Sequence, residues 1–300
     1  MSGNFDVVLG IDMETDIGSF TSGYEGVKHG TPRLLDIMGR RGVKATCFWT
    51  GHAAENNPAV VRAARDAGHE TGCHGLVHET LGDPLFPLPN NWPIFPFEVE
   101  GRLREATRIV EEVSGTRPVS FRCPRLWGST KVVNVLEALG YSSDASLPLY
   151  FYRNMHLPYH PSSKDWTKPG DLKIVEIPNF CDLSMESHDP YQRDRDQWPL
   201  FRTQGAASLM GKIDSFLDYV NQRGARPTLC FYFHPWEFHE MPQGAIDYGE
   251  ASVTPLPFIT ANCGDVACRE FDALCAMLLD KGGVFKTAAQ VAEGVDAPCK

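Results

Sequence analysis

Apolar positions along the chain alternate between short continuous runs and longer stretches with helical spacing. The run FDVVLGI at 5–11 predicts a buried strand, being short, apolar and rich in β-branched residues. Thr31-Pro32 then supplies a cap and a first-turn proline, Leu34, Leu35, Ile37 and Met38 give an apolar stripe, and Gly42 stops the helix. KATCFWT at 44–50 predicts the next strand, and Asn57-Pro58 opens a helix that ends near Gly68. Further helices are predicted over 96–114, 130–139, 207–223 and 267–281, and further strands over 119–122, 141–145, 173–177, 227–233 and 284–286. Six or seven β–α repeats in a row predict a parallel sheet, open or closed into a barrel. Two segments interrupt the rhythm: 80–96, with five prolines, and 147–205, rich in Pro, Tyr, His and Trp. Both are expected to be long loops, which in compact domains usually serve function. With no internal repeat and no linker, one domain is expected over 1–300.

Composition narrows the class. The chain has 300 residues, 42% of them hydrophobic and 11% aromatic, enough for a sizeable core and too apolar for a disordered chain. Its formal net charge is −10, with no basic run longer than Arg40-Arg41, so no nucleic-acid partner is expected. No apolar stretch approaches the ~18 residues of a membrane span. The opening MSGNFDVVLGID has no basic n-region or apolar h-region, and no N-x-[ST] sequon occurs, so no signal peptide and a cytoplasmic location are expected. The nine cysteines (47, 73, 123, 181, 230, 263, 268, 275 and 299) form no CxxC pair and are expected to be buried free thiols. Neither a G-x-S-x-G elbow nor a G-x-G-x-x-G or P-loop motif is present, which excludes the commonest serine-hydrolase and nucleotide-binding designs.

Four segments carry candidate chemistry. In GHETGCHGLVHE (68–79), His74 and His78 are four apart, and in a helical turn that spacing lets two imidazoles share one metal ion. Three of the ten histidines fall within 69–78, His69 in or at the end of a strand. In GIDMETD (10–16) an apolar strand delivers Asp12, Glu14 and Asp16; Asp12 and Glu14 share a side-chain direction if the strand continues. Two carboxylates facing one pocket can divide labour between ligating a metal and acting as general base. LCFYFHPWEF (229–238) ends a strand in His234-Pro235, and SFRCPRLWG (120–128) ends one in Arg122, able to pair with a carboxylate and orient it.

Taken in order, GVKATCFWTG, GHETGCHGLVHE, FRCP, GYSSDAS and FYFHPWEF resemble the polysaccharide deacetylases of the NodB-homology fold, carbohydrate esterase family 4, over about residues 5–290. The nearer likeness is to an intracellular branch of peptidoglycan-deacetylase-like and allantoinase-like proteins. The resemblance implies an α/β fold, a distorted (β/α)7-type barrel, holding one divalent metal. It implies His74 and His78 as ligands, Asp12 as general base, Arg122 as its orienting partner and His234 as general acid. The family's Asp-Asp-Gly is replaced by Asp-Met-Glu-Thr-Asp, so the third ligand is Glu14 or Asp16, with strand parity favouring Glu14. The family's Tyr-Gly after the third-motif proline is replaced by Arg125-Leu126. Asp144, Trp92 and Trp236 are weaker candidates for contact with substrate, and Phe95, Tyr150, Tyr152, Trp166, Tyr191 and Trp198 could stack on sugar faces or simply pack together. The implied metal is Zn2+, with Co2+, Ni2+ or Fe2+ as alternatives. The implied reaction is hydrolysis of a non-peptide C–N bond, as deacetylation of an N-acetylated sugar or glycan. The alternatives are opening of a small cyclic amide, or ligand binding without catalysis on the same fold. The branch also implies a homo-oligomer.

Overall fold

A computed structural model describes residues 5–88 and 91–296. The strands are β1 (Phe5–Met13), β2 (Thr46–Trp49), β3 (Glu70–Cys73), β4 (Ser120–Phe121), β5 (Ser143–Asp144), β6 (Val175–Glu176), β7 (Thr228–Phe233), β8 (Ile246–Asp247), β9 (Ser252–Val253) and β10 (Gly283–Phe285). The helices are α1 (Thr31–Arg41), α2 (Gly51–Asn56), α3 (Pro58–Asp66), α4 (Val99–Ser114), α5 (Thr130–Leu139), α6 (Leu200–Thr203), α7 (Ala206–Asn221), α8 (Pro257–Thr260), α9 (Asp265–Asp280) and α10 (Ala288–Ala292).

The long central strand β1 organises the sheet. On one side it pairs with β7; on the other it pairs with β10 through Phe5–Val7 and with β2 through Gly10–Met13. From β2 the sheet continues through β3, β4, β5 and β6, every pairing parallel. The result is a half-barrel wrapped by helices. Its seam is bridged just beyond β6, where Phe180 N donates to Cys230 O on β7 at 2.8 Å.

Strand alternation divides the side chains into two sets. Val7, Leu9 and Ile11 face outward into the main core with Leu34, Ile37 and Met38 of α1 and the apolar faces of α4, α7 and α9. Val8, Phe48, Ala145, Ile177 and Cys230 face inward and meet Ala288 and Val291 of α10, which plugs the barrel at the strands' N-terminal ends. Thr46 Oγ1 accepts from Ala288 N at 2.9 Å, and Glu70 Oε2 accepts from Ala289 N at 3.2 Å. With that end closed, the C-terminal ends of the strands are left for a site, where parallel α/β folds place ligands.

The structure departs from the sequence reading in specific places. Strand β1 runs beyond Ile11 to Met13 and so carries Asp12. Helix α2, capped by Thr50 Oγ1 on Ala53 N at 3.1 Å, precedes α3, and α10 and the β8–β9 hairpin add elements too short for periodicity to reveal. Cys47, Cys73, Cys123, Cys181, Cys230 and Cys275 are buried free thiols, Cys263 and Cys268 are half-buried, and Cys299 lies outside the described residues. Among the described residues no helix is long and apolar enough to cross a membrane.

Candidate active site

Glu14, His74 and His78 converge at the open end of the half-barrel. Glu14 follows β1 directly and keeps the inward direction of Val8, Gly10 and Asp12. His74 follows β3, and its backbone N–H continues the ladder to Trp49 O at 2.7 Å. His78 does not share a helical turn with His74, as the spacing suggested. The segment between them is irregular, and His78 is held at φ 63°, turning its ring back towards His74. Glu14 Oε2 lies 3.4 Å from His74 Nε2 and 2.5 Å from His78 Nε2.

The donor chemistry of this cluster fits a divalent cation. His74 Nδ1 lies 2.7 Å from Arg122 O and so carries the proton, leaving the Nε2 lone pair facing Glu14. Among the described residues, the buried Glu14 Oε2 and His74 Nε2 have no hydrogen-bond partner of good geometry, and one ligand atom from each of the three residues lies within 4.8 Å of the others. Burial alone would raise the Glu14 carboxyl, but His78 and His74 outweigh it and hold the group well below the usual carboxylate range. Burial lowers the His78 pKa, favouring the neutral imidazole that ligates metals. Asp16, the other candidate ligand, is turned away. Its two carboxylate oxygens accept from Glu25 N and Gly26 N, each at 2.8 Å, and pin the segment that follows.

Beside the cluster, Asp12 Oδ1 accepts from Arg122 Nη1 at 2.9 Å. Arg122 is fully buried and crosses the barrel, donating to Ala145 O at 3.0 Å and to Asn179 Oδ1 and Phe231 O at 3.1 Å. On the third side, His234 Nε2 points at Glu14 Oε1 from 3.9 Å, and its Nδ1 donates to Glu237 Oε1 at 3.0 Å. Glu237 in turn accepts from Arg202 Nε at 2.6 Å, both side chains being fully buried. Burial works against a charged imidazole, but Glu237 and Glu14 overcome it and raise the His234 pKa. Glu237 sits at the capping-box position three residues after His234, a spacing the sequence displays; Arg202 lies in the one-turn helix α6, with no motif to mark it.

These groups form the floor of a cavity of about 700 Å³. Trp236 lines it, its ring stacked 5.1 Å from that of His234, and so do Tyr150 and Trp198. Two weaker candidates do not reach it. Trp92 stands 82% exposed and lines no part of the cavity, because its Pro-rich loop holds it out in solvent. Asp144 lies opposite Glu176 across the β5–β6 pair, on the alternate that faces away from the interior. Burial pushes its pKa up to about 6 and that of Glu176 up as well, so the two carboxyls share a proton. Of the other loop aromatics, Trp166 packs on Tyr152 at 6.0 Å, Tyr191 on Phe86 at 5.6 Å and Phe95 on Phe97 at 5.4 Å. The sequence reading missed the wall residues Phe86, Arg193, Leu256 and Phe258, which come from irregular or one-turn segments without periodic signal.

The family profile described as polysaccharide deacetylase matches residues 17–143, a span that includes His74, His78 and Arg122. Over that span the chain is similar to the polysaccharide deacetylases. It is 29% identical over 191 residues to the peptidoglycan deacetylase-like protein FGM2 of Gibberella zeae, a match covering 59% of this chain and 53% of that one. It is 28% identical over 163 residues to the peptidoglycan deacetylase of Helicobacter pylori, covering 50% and 52% respectively. The chain thus spans about half the length of these curated relatives. Among solved structures, Puue allantoinase superposes with a TM-score of 0.64 at 15% identity, covering 97% of this chain and 90% of that one. A carbohydrate esterase family 4 pseudoenzyme from Bacillus anthracis superposes with a TM-score of 0.52 at 13% identity, covering 97% and 66%. At such identities the likeness is one of fold, and a fold alone does not fix a chemistry.

Proposed function

We propose that this polysaccharide deacetylase relative is a metal-dependent hydrolase of a non-peptide C–N bond, removing an acyl group from an N-acylated substrate, with an N-acetylated sugar or glycan as the first class to test. One observation carries the reading: Glu14, His74 and His78 form a buried donor set with Asp12–Arg122 on one side and His234–Glu237–Arg202 on the other. That is a cation site with an acid/base group on each flank.

A divalent cation held by Glu14, His74 and His78, with Zn2+ the first choice for two imidazoles and a carboxylate, would polarise the amide carbonyl. Asp12, held by Arg122, takes a proton from the attacking water. Arg122 fixes the carboxylate's direction. His234, with Nδ1–H committed to Glu237, presents Nε2–H to the departing nitrogen. The amide C–N bond breaks as the water oxygen bonds to carbon, and the products are a carboxylate and an amine. Opening of a cyclic amide uses the same groups and is a second reading, supported by a cavity sized for one small molecule.

The test pairs elemental analysis with acyl release. Wild type should hold about one divalent ion per chain and release acetate from N-acetylated sugars, or open a cyclic amide. His74→Ala/His78→Ala should lose the ion. Asp12→Asn should keep it and lose ~10²–10⁴-fold in rate. A metal-loaded wild type inert to every amide tested would instead support a binding protein.

A further inference from the structure

The cavity wall is apolar in a way that the reaction at the floor does not require. It is built by side chains such as Ile17, Leu126, Trp198, Leu256 and Phe258. Outside the acid/histidine floor, the described lining residues include no carboxylate, no Asn, no Gln and no Ser. The side-chain hydroxyls there are those of Thr254, Tyr150 and Tyr232, and Tyr232 already donates to Asp196 Oδ2. The two arginines of the wall are engaged within the protein. Arg193 pairs with Asp196 Oδ2 at 3.2 Å. Arg125 donates to His78 O at 3.2 Å, and the carboxylates of Glu14 and Glu79 act on its charge.

This apolar surface has its own support. Ile17, Trp236 and Met241 form a buried cluster separate from the main core, with Trp198 and Ile259 packed against it. Of these, Ile17, Trp198, Trp236 and Ile259 line the cavity. Ile17 is held at φ 57°, a costly conformation for a β-branched residue. Such conformations persist where the surroundings over-determine them, and they concentrate at functional sites. Here the chain is tied on both sides of Ile17: Thr15 Oγ1 donates to Gly18 O at 2.6 Å, and the Asp16 carboxylate accepts from Glu25 N and Gly26 N. Leu256, Phe258 and Phe20 line the same cavity, yet they stand 61%, 46% and 43% exposed, so the apolar surface continues outward to solvent. Apolar surface of this kind marks a binding site.

We propose that the substrate's amide is carried on an uncharged hydrocarbon or aromatic body, and that the Ile17–Trp198–Trp236 wall with Leu256 and Phe258 selects that body over a sugar. This rests on the amide-hydrolysis reading for the bond that is cleaved, but it adds which molecules bring that bond to the floor. An N-acetylated sugar carries hydroxyls around its ring, and each one placed against this wall gives up hydrogen bonds to water without replacement. An aromatic side chain can stack on a sugar face, but the hydroxyls at the ring edge still need partners, and the lining offers few. A hydrocarbon gains with every CH2 buried. Both guanidinium groups are already engaged, so the wall reserves no partner for a charge on the body. A volume of about 700 Å³ suits one compact ligand rather than a threaded polymer.

The test is calorimetric binding of N-cyclohexylacetamide and N-acetylglucosamine to the metal-loaded protein. The two probes share a six-membered ring and an acetamido group and differ chiefly in the hydroxyls. The cyclohexyl amide should bind ~100-fold more tightly or better. In a series of N-acetylated straight-chain amines from propyl to hexyl, Kd should fall about 3- to 4-fold per CH2. Leu256→Gln and Phe258→Gln alter exposed side chains, where the fold is not at stake, and should flatten that series. Sugar binding as tight as that of the cyclohexyl amide, a Kd independent of chain length, binding of no probe at millimolar concentration, or a series equally steep in both variants overturns the proposal. Acyl release is measured separately. Length-dependent binding without turnover of any amide supports this proposal and counts against hydrolysis. Acetate release from N-acetylglucosamine as efficient as from the cyclohexyl amide does the reverse.

Discussion

Arg122 reaches Asp12 through a gap that exists because residue 10 is glycine. A Cβ on Gly10 would lie 2.0 Å from Arg122 Nη1, the atom that donates to Asp12. The guanidinium is fixed on every side, by Ala145 O, Asn179, Phe231 O and the ring of Phe48 4.5 Å away, so it has nowhere to retreat. Gly10→Ala should therefore dislodge Arg122, lowering kcat by ~10²-fold or more through loss of Asp12 orientation. Arg122→Met should go further, leaving Asp12 buried and unpaired at a cost of about 3–5 kcal/mol. Urea unfolding and acyl-release kinetics on both variants check this; normal turnover in Gly10→Ala would remove Arg122 from the catalytic account.

The Arg202–Glu237–His234 chain gives a second expectation. Glu237→Gln is nearly isosteric, yet it takes the counter-charge from the fully buried Arg202 and leaves a single acceptor oxygen where Arg202 Nε and His234 Nδ1 each had one. Stability should fall by about 3–5 kcal/mol, as for other broken buried pairs. With the proposed role of His234 towards the leaving group, the rate should fall with KM little changed. Steady-state kinetics and thermal unfolding separate the two effects. A rise in KM at constant kcat would place His234 in substrate binding instead.

Much of this was legible in the sequence, for identifiable reasons. Strands such as FDVVLGI and LCFYF are buried on both faces, so they read as continuous apolar runs followed directly by Asp12, Glu14 or His234. Thr31-Pro32 and Gly42 bound α1 as their local chemistry dictates. The HxxxH pair was found by spacing, but its geometry was not: the fit to one cation comes from a positive-φ turn that spacing cannot report. Asp144 is a weak candidate only through the resemblance of GYSSDAS, and in the structure β5 is only two residues long and its alternation sends Asp144 outward. The cavity walls were legible only in part. Tyr150, Trp198 and Trp236 were candidates, but Phe86, Arg193, Leu256 and Phe258 come from segments whose positions are set by tertiary contacts rather than by period or cap.

The outward placement of Asp144 has its own consequence. It faces Glu176 with both side chains fully buried, and burial raises its pKa to about 6. A carboxyl raised in the folded state stabilises least where it must ionise, so its cost grows as pH rises from the unfolded value near 4 through 6 and is complete above that. Asp144→Asn removes this cost and keeps a donor for Glu176. The variant should gain about 1–2 kcal/mol at pH 7 and little at pH 4, with acyl release unchanged. Denaturant titrations at the two pH values test this. Loss of activity with fold intact would return Asp144 to the site.

His69 supplies a pH dependence of opposite sign, far from any acid/base role. It sits just before β3 with Nδ1 accepting from Ala45 N at 3.1 Å, and burial, with help from Lys44, lowers its pKa to about 4. Between pH 4 and the unfolded value near 6.5, the unfolded chain binds the proton and the folded chain does not. This contribution is therefore complete above pH 6.5, declines as the pH falls towards 4 and changes no further below that. His69→Leu should lower stability at pH 7 by stranding the Ala45 N–H, but it should also flatten the dependence between pH 4 and 6.5. Urea midpoints at pH 7, 6, 5 and 4 for both proteins give the comparison. An equally steep slope in the variant would show that the acid sensitivity belongs to other groups, since no proton taken up at residue 69 could then be driving the unfolding.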